Sequence, residues 1–333
     1  MTHSKNSRSL QINRRKVLAL GAGASAAIVA RARAAAWPER NVRIIIPYAA
    51  GGPTDLQARI VGEKLQAKWG QAIVIENRTG AGGNIASSLV AQAEPDGYTL
   101  LLQGSAHATN ASLFLNLPYH PITSFTPLIG MTYQPVILAV HPSVPAKSLK
   151  EFVDLAKRQP DTITMGVAGT GSISHLAGIL LEQQADIKLI TVPFPGSAPA
   201  QNALLGGHVN GSFLNSTVGT PVIKSNSVRG LGSASKERWR ELPDLPSIAE
   251  QGYPGFECTS WFGLLGPKNL PESIARKIHE DVSAALKLDD VRDRILSSGL
   301  DILDWSPEQF TAVMDADMRK WPPILARGGL KPQ

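Results

Sequence analysis

Five short segments gather glycine with hydroxyl and amide residues: 49–55, 77–84, 104–107 with Asn110 beyond, 168–175 and 194–197. The chemistry open to such segments is the capture of an anion without a charged side chain. Glycine lets a ligand approach the backbone closely. A helix start presents free N–H groups and the positive end of the helix dipole, worth about 0.3–1 kcal/mol at the surface and up to ~2 when partly buried. Helix starts converging from two lobes would make a site for one or two carboxylates. Several together, with hydroxyl and amide donors, reach micromolar binding, about −8 kcal/mol. Taken singly, each segment reads as a turn. The five together specify an anionic or polar ligand rather than a reaction.

Other chemistries lack their residues. There is no G-x-x-x-x-G-K-[ST], and the second segment lacks the spacing of a dinucleotide fingerprint. There is no G-x-S-x-G elbow. Ser172 and His175 lie three apart at an expected helix start, where serine is most simply a cap. The seven histidines are scattered, with no H-E-x-x-H and no cysteine partners, so neither a metal nor a cofactor is expected. His107 and His175 read as polar loop or helix residues. The single cysteine, Cys258, excludes an internal disulfide and reads as a buried thiol.

The elements that must position the five segments follow from periodicity. Strands are expected at 42–47, 72–76 and 98–103, with helices at 55–69 and 84–93 between them. This β-α-β-α-β run is the signature of a parallel sheet with helices on its faces. The pattern restarts with strands at 136–140, 162–168, 189–193, 209–214 and 228–232, and helices at 149–158, 172–184 and 198–205. A strand at 261–265 and helices near 272–287, 290–298 and 307–320 close the chain, Pro271 and Ser306-Pro307 marking helix starts. The fold class is therefore α/β, with two doubly wound lobes. Strand-end segments in such sheets border the ligand crevice.

At 333 residues the chain has room for two domains. With 43% hydrophobic and 18% charged residues, it can bury a core and is not a disordered chain. The formal charge of +6 points to nucleic acid only until it is located. Seven of the 33 basic residues and none of the 27 acidic ones fall within residues 1–36, so the remainder carries a formal charge of −1. No basic excess is left to neutralise phosphates, and a nucleic-acid partner is excluded.

Residues 1–36 read as an address. Arg14-Arg15 precede an apolar stretch from Val17 to Ala30, too short to span a bilayer core of about 30 Å, and small residues end at Ala34-Ala35-Ala36. This is an export-signal layout with cleavage near Ala36, and the paired arginines resemble a twin-arginine signal. Gly21-Ala22-Gly23-Ala24-Ser25-Ala26 matches G-x-G-x-x-A but has no strand before it. The expected organisation is a signal peptide at 1–36, a first lobe from 37–138 and 258–333, and a second lobe at 139–257. The protein is expected to be exported.

A set of motifs, in order along the whole mature chain, resembles the tripartite tricarboxylate transporter substrate-binding proteins, also called the Bug or TctC-type receptors. It includes Val42-Arg43-Ile44-Ile45-Ile46-Pro47, Gly51-Gly52-Pro53-Thr54-Asp55 and Glu76-Asn77-Arg78-Thr79-Gly80-Ala81-Gly82-Gly83-Asn84. It continues through Pro95-Asp96-Gly97-Tyr98, Gly169-Thr170-Gly171-Ser172, Val192-Pro193-Phe194-Pro195-Gly196-Ser197, Leu242-Pro243-Asp244-Leu245-Pro246-Ser247 and Ser260-Trp261-Phe262-Gly263. The resemblance implies a periplasmic receptor with a type II periplasmic-binding-protein fold and a ligand cleft between its lobes. It would bind a small carboxylate or related metabolite and pass it to membrane permease subunits, with a monomer suited to docking. The ligand residues it implies here are Gly51, Thr54, Asp55, Gly80, Ala81, Gly82, Ser105, Ala168, Gly169, Thr170 and Ser172. Asp55 equally reads as a helix-start residue, and Asn77 and Arg78 as residues that fix the second loop.

After Gly207-His208-Val209 the family commonly carries two acidic residues, where this chain has Asn210 and Leu214. The expectation drawn from this departure is a less polar or aromatic carboxylate in preference to an amino acid. Two rival uses stand beside transport: a receptor that presents its ligand to a membrane sensor, and a secreted enzyme built on Ser172 and His175.

Overall fold

The structure, a computed structural model, describes residues 37–330 and 332. The export signal read from residues 1–36, with its glycine motif, lies outside the described residues. Residues 40–333 group as one unit, which the following paragraphs describe.

The apolar run Val-Arg-Ile-Ile-Ile forms β1 (Val42–Ile46), with α1 (Pro53–Trp69), β2 (Ile73–Asn77), α2 (Asn84–Ala91) and β3 (Thr99–Gly104) after it. β2 and β3 both pair parallel with β1. α1 opens on a proline, whose fixed φ suits a first helical turn, and stops at Gly70 in the left-handed conformation. α3 (Ala106–Leu113) follows, in a stretch the periodicity leaves as a loop.

β4 (Phe125–Val140) is far longer than the strand expected at 136–140. Pro127, Gly130 and Pro135 break the apolar pattern upstream, and irregularities in the register between Pro127 and Thr132 absorb the disruption. The second half runs α4 (Leu149–Arg158), β5 (Thr164–Val167), α5 (Ile173–Ala185), β6 (Ile190–Pro193), α6 (Ser197–Leu205), β7 (Gly211–Asn215), α7 (Ser216–Lys224) and β8 (Arg229–Ser233). β5 lies parallel between β6 and β7. β9 (Thr259–Pro267), α8 (Glu272–Leu286), α9 (Asp289–Ser297), β10 (Asp301–Trp305) and α10 (Pro307–Arg327) complete the described chain. α10 begins with a capping box in which Ser306 and Gln309 satisfy each other's backbone N–H groups.

The strands follow the order β2-β1-β3-β9-β4-β7-β5-β6, with β8 and β10 also paired to β4. Each half is therefore three parallel strands extended by antiparallel neighbours, a mixed sheet rather than a purely parallel one. β4 serves both halves. Pro135 is the last β4 residue opposite β9, facing Thr259, and Val136 is the first opposite β7, facing Asn215.

Two of the apolar cores on this frame are joined by α10. Ile45, Leu101, Phe310 and Met314 belong to one; Phe152, Leu176, Phe213, Trp321 and Leu325 belong to the other. α10 thus contributes its first turns to one core and its last turns to the second, and Gln183 Nε2 donates to the Ile324 carbonyl at 2.8 Å. Among the described residues no helix is long and apolar enough to cross a membrane.

Candidate functional site

The strand-end segments converge on one cleft of about 800 Å³, within the range of small-molecule sites. First-turn residues of α1, α3, α5, α6 and α7 line it: Thr54, Ala106, Ile173, Ser197 and Thr217. Five helix starts aimed at one volume supply N–H groups and dipole ends of the same sign. Among the described residues no Asp, Glu, Lys, Arg or His lines the cleft. Its polarity comes from backbone, hydroxyl and amide groups, and its apolar wall includes Leu113, Phe114, Leu176 and Phe262.

Of the residues expected at the site, Gly51, Thr54, Gly82, Ser105, Ala168, Thr170 and Ser172 line the cleft; Asp55, Gly80, Ala81 and Gly169 do not. Asp55 is buried beneath the first loop. Its carboxylate accepts from the Gly51 N–H at 3.0 Å, from Arg59 at 2.9 Å through both oxygens, and from Asn77 Nδ2 at 3.3 Å. The Arg59 guanidinium, outweighing the cost of burial, holds this carboxyl below its usual pKa. Asn77 Nδ2 also donates to the Tyr48 carbonyl at 2.8 Å, so Asp55 and Asn77 tie the first two loops together.

Behind the second loop, Asn110 Nδ2 donates to the Gly82 carbonyl at 3.0 Å and to Asn84 Oδ1 at 2.7 Å, and the Tyr119 hydroxyl donates to the same Oδ1. Gly83 has a φ of 96°, which favours glycine, and a Cβ there would lie 2.8 Å from Gln103 Nε2, which would have to shift. His107, on the first turn of α3, is fully buried. Its Nε2 meets the Pro121 carbonyl at 2.9 Å and must donate there, leaving Nδ1 to accept from the Ser87 hydroxyl at 3.2 Å. Burial lowers its pKa to about 4.

In the fourth loop Ser172 caps α5 by accepting the His175 backbone N–H, and its hydroxyl reaches the Gly169 carbonyl at 2.7 Å. His175 Nδ1 is occupied by the Gly171 N–H at 3.1 Å. The two side chains are not joined as nucleophile and base. The Cys258 thiol is buried, and burial pushes its pKa up to about 12, leaving it a poor nucleophile.

The departure at Asn210 and Leu214 does not reach the cleft. Neither residue lines it. Asn210 Oδ1 accepts from the backbone and hydroxyl of Thr164, and Leu214 packs with Ala139, Val209 and Val228. Side chains alternate along β7, so Asn215, not Leu214, faces the cleft. The preference for a less polar or aromatic ligand therefore loses its structural basis. Sequence reading also missed Gln134, Asn215, Thr217 and Ser260, which line the cleft from strand interiors and from α7. The break at Pro135 concealed the first of these, and Gly219 and Pro221 obscured the helix that carries Thr217.

The model of the tripartite tricarboxylate transporter family receptor, TctC, matches residues 57–330. The chain belongs to this family. A UPF0065 protein from the TAR-I ttuE-ttuC' intergenic region of Agrobacterium vitis is 37% identical over 263 residues, 79% of this chain and 76% of the relative. Among solved structures, the periplasmic binding protein BugD is 35% identical with a TM-score of 0.78, the match covering 89% of this chain and 100% of BugD. Rpa4515 of R. palustris, solved with adipate, is 33% identical with a TM-score of 0.81, covering 89% and 100%. This TctC family member is a solute-binding receptor with the two-lobed α/β fold of periplasmic binding proteins, and not an enzyme.

Proposed function

We propose that the chain captures a small carboxylate in this cleft and delivers it to the membrane permease of a tripartite tricarboxylate-type transporter. The observation that carries the reading is the convergence of five helix starts on a cleft with no charged side chain among the described residues. Such a cleft favours an anion through N–H groups and dipoles alone. The adipate bound by Rpa4515 supports the same ligand class. In this reading Gly51, Thr54, Gly82, Ser105, Ala168, Thr170 and Ser172 contact the ligand, and Asp55, Gly80, Ala81 and Gly169 shape the loops behind them.

In this reading residues 37–138 with 258–333 make one lobe and residues 139–257 the other, except that Val136, Leu138, Cys258 and the last turns of α10 pack with the second; the hinge lies where β4 changes partners, and closure around the ligand is a hinge motion. Residues 1–36 direct export to the periplasm, where the receptor acts as a monomer. The test is thermal unfolding against citrate, dicarboxylates, aromatic acids and amino acids. A ligand at about 100 times its Kd raises folding stability by roughly 2.7 kcal/mol. A clear shift by one class supports the reading. No shift by any carboxylate, with no small acid released on denaturing the protein, overturns it.

A further inference from the structure

One cleft residue comes from neither a strand nor a strand-end loop. α10 ends in a Schellman motif: the Gly329 N–H donates to the Ala326 carbonyl and the Leu330 N–H to the Leu325 carbonyl, both at 3.1 Å. Gly329 takes the left-handed turn this motif requires, with a φ of 74°. The chain is thereby folded back over the last helical turn, whose Leu325 is buried in the second core. The same turn sits tightly on α5, since a Cβ at Gly328 would lie 2.8 Å from Ile179 Cγ2. The half-buried Leu330 packs against the core that holds Leu176, and it lines the cleft.

Leu113 and Ile173 also line the cleft and pack against that core. Leu113 comes from α3 in the first half, Ile173 from α5 in the second, and Leu330 from beyond the helix that joins both. The three make an apolar corner beside the polar loops. A leucine held by a helix-end motif and by core packing does not yield freely to a ligand, so it takes volume out of the cleft. We propose that Leu330 is a specificity-determining residue that limits the length of the ligand's apolar body. The helix starts hold the carboxylate, and the chain that carries it ends against Leu330. This deepens the carboxylate reading and rests on it.

Titration calorimetry of the purified protein with two chain-length series tests this: butanoate, hexanoate, octanoate and decanoate, and succinate, adipate, suberate and sebacate. The unsubstituted protein should prefer one length and bind the next longer acid of that series about 10-fold more weakly or worse. Leu330→Ala should reduce that penalty by about 5-fold or more, because the cleft gains the volume of the side chain. Leu330→Phe should shift the preference towards shorter acids by a similar factor. Opposite shifts in the two variants are the expected pattern, since a merely structural role would weaken every acid alike. A preference unchanged within about 2-fold in both variants overturns the role of Leu330 and leaves the carboxylate reading standing. So does a uniform loss across a series, or an affinity that rises to the longest acid in the unsubstituted protein. Failure of all these acids to bind also overturns it, and the carboxylate reading falls with it only if citrate, aromatic acids and amino acids fail too.

Discussion

Gly171 and Leu113 meet at the cleft, one from the β5–α5 loop and the other from the last turn of α3. Gly171 has a φ of 76°, and a Cβ built there would overlap Leu113 Cδ1. Leu113 itself packs against the core that contains Leu176. The two halves of the molecule therefore touch where a positive φ and the Leu113 side chain both favour glycine. Gly171→Ala should destabilise the protein by about 1–2 kcal/mol through the left-handed backbone alone, and should weaken ligand binding by opening this contact. Urea unfolding and calorimetry on the variant measure the two effects. Unchanged values for both would show that the contact is incidental.

The Asp55 carboxylate is expected to act by holding the first loop rather than by touching the ligand. Asp55→Asn removes the charge opposite Arg59 and weakens the tie to Gly51. Arg59 is 54% exposed, so solvent screens part of the pair, and a loss of about 1–2 kcal/mol is expected. Ligand affinity should fall with it. A variant that keeps full stability but loses all binding would instead place Asp55 in direct contact.

Acid sensitivity should come in two stages. His107 stays neutral in the fold down to about pH 4, whereas the unfolded chain takes up a proton near 6.5. Its contribution is whole above pH 6.5 and is lost as the pH falls towards 4. Glu76, held by Arg43 and Arg78, has its pKa lowered from 4.5 to about 2. Its contribution is present above pH 4.5 and is lost as the pH falls towards 2. Urea midpoints at a series of pH values should decline in both windows, and the His107 ring signals should not titrate between pH 7.5 and 5.5. Titration of that ring near 6.5 would contradict its burial.

Phe310 is fully buried on α10, 5.1 Å edge-to-face from Trp261, against the Cα of Gly263. Phe310→Ala should cost about 3–5 kcal/mol in a chemical-denaturation measurement. A loss under 1 kcal/mol would mean that α10 adds little to that core.

What could be read from the residues followed local periodicity. The β1-α1-β2-α2-β3 run and the α4-to-α6 stretch announce themselves because apolar spacing, glycine ends and caps such as Ser148 and Ser306 all agree. The upstream part of β4 was hidden because its prolines contradict a strand locally, while β9 and β10 hold it in place from distant parts of the chain. α3 was hidden because its buried polar residues, His107 and Asn110, are satisfied by partners that sequence spacing does not show. The candidate site divided in the same way. Glycine loops were legible as loops, but whether a residue faces the cleft or lies behind it, as Asp55 does, depends on side-chain partners. Gln134 gave no signal, since a glutamine inside a strand looks like any other, and Ser260 stood out only as part of a family motif, not as a residue facing the cleft.

The pairing of β3 with β9 has a kinetic meaning. Leu101 lies opposite Leu265, whereas β1, β2 and β3 are close neighbours along the chain. The first half can assemble its parallel strands early but must wait for most of the chain before its antiparallel neighbour β9 arrives. The second half needs no such delay for β5, β6 and β7, which are contiguous. Closing so long a loop before its contacts can form slows folding. Late docking of β9 should thus set the pace at which a newly made chain becomes able to bind.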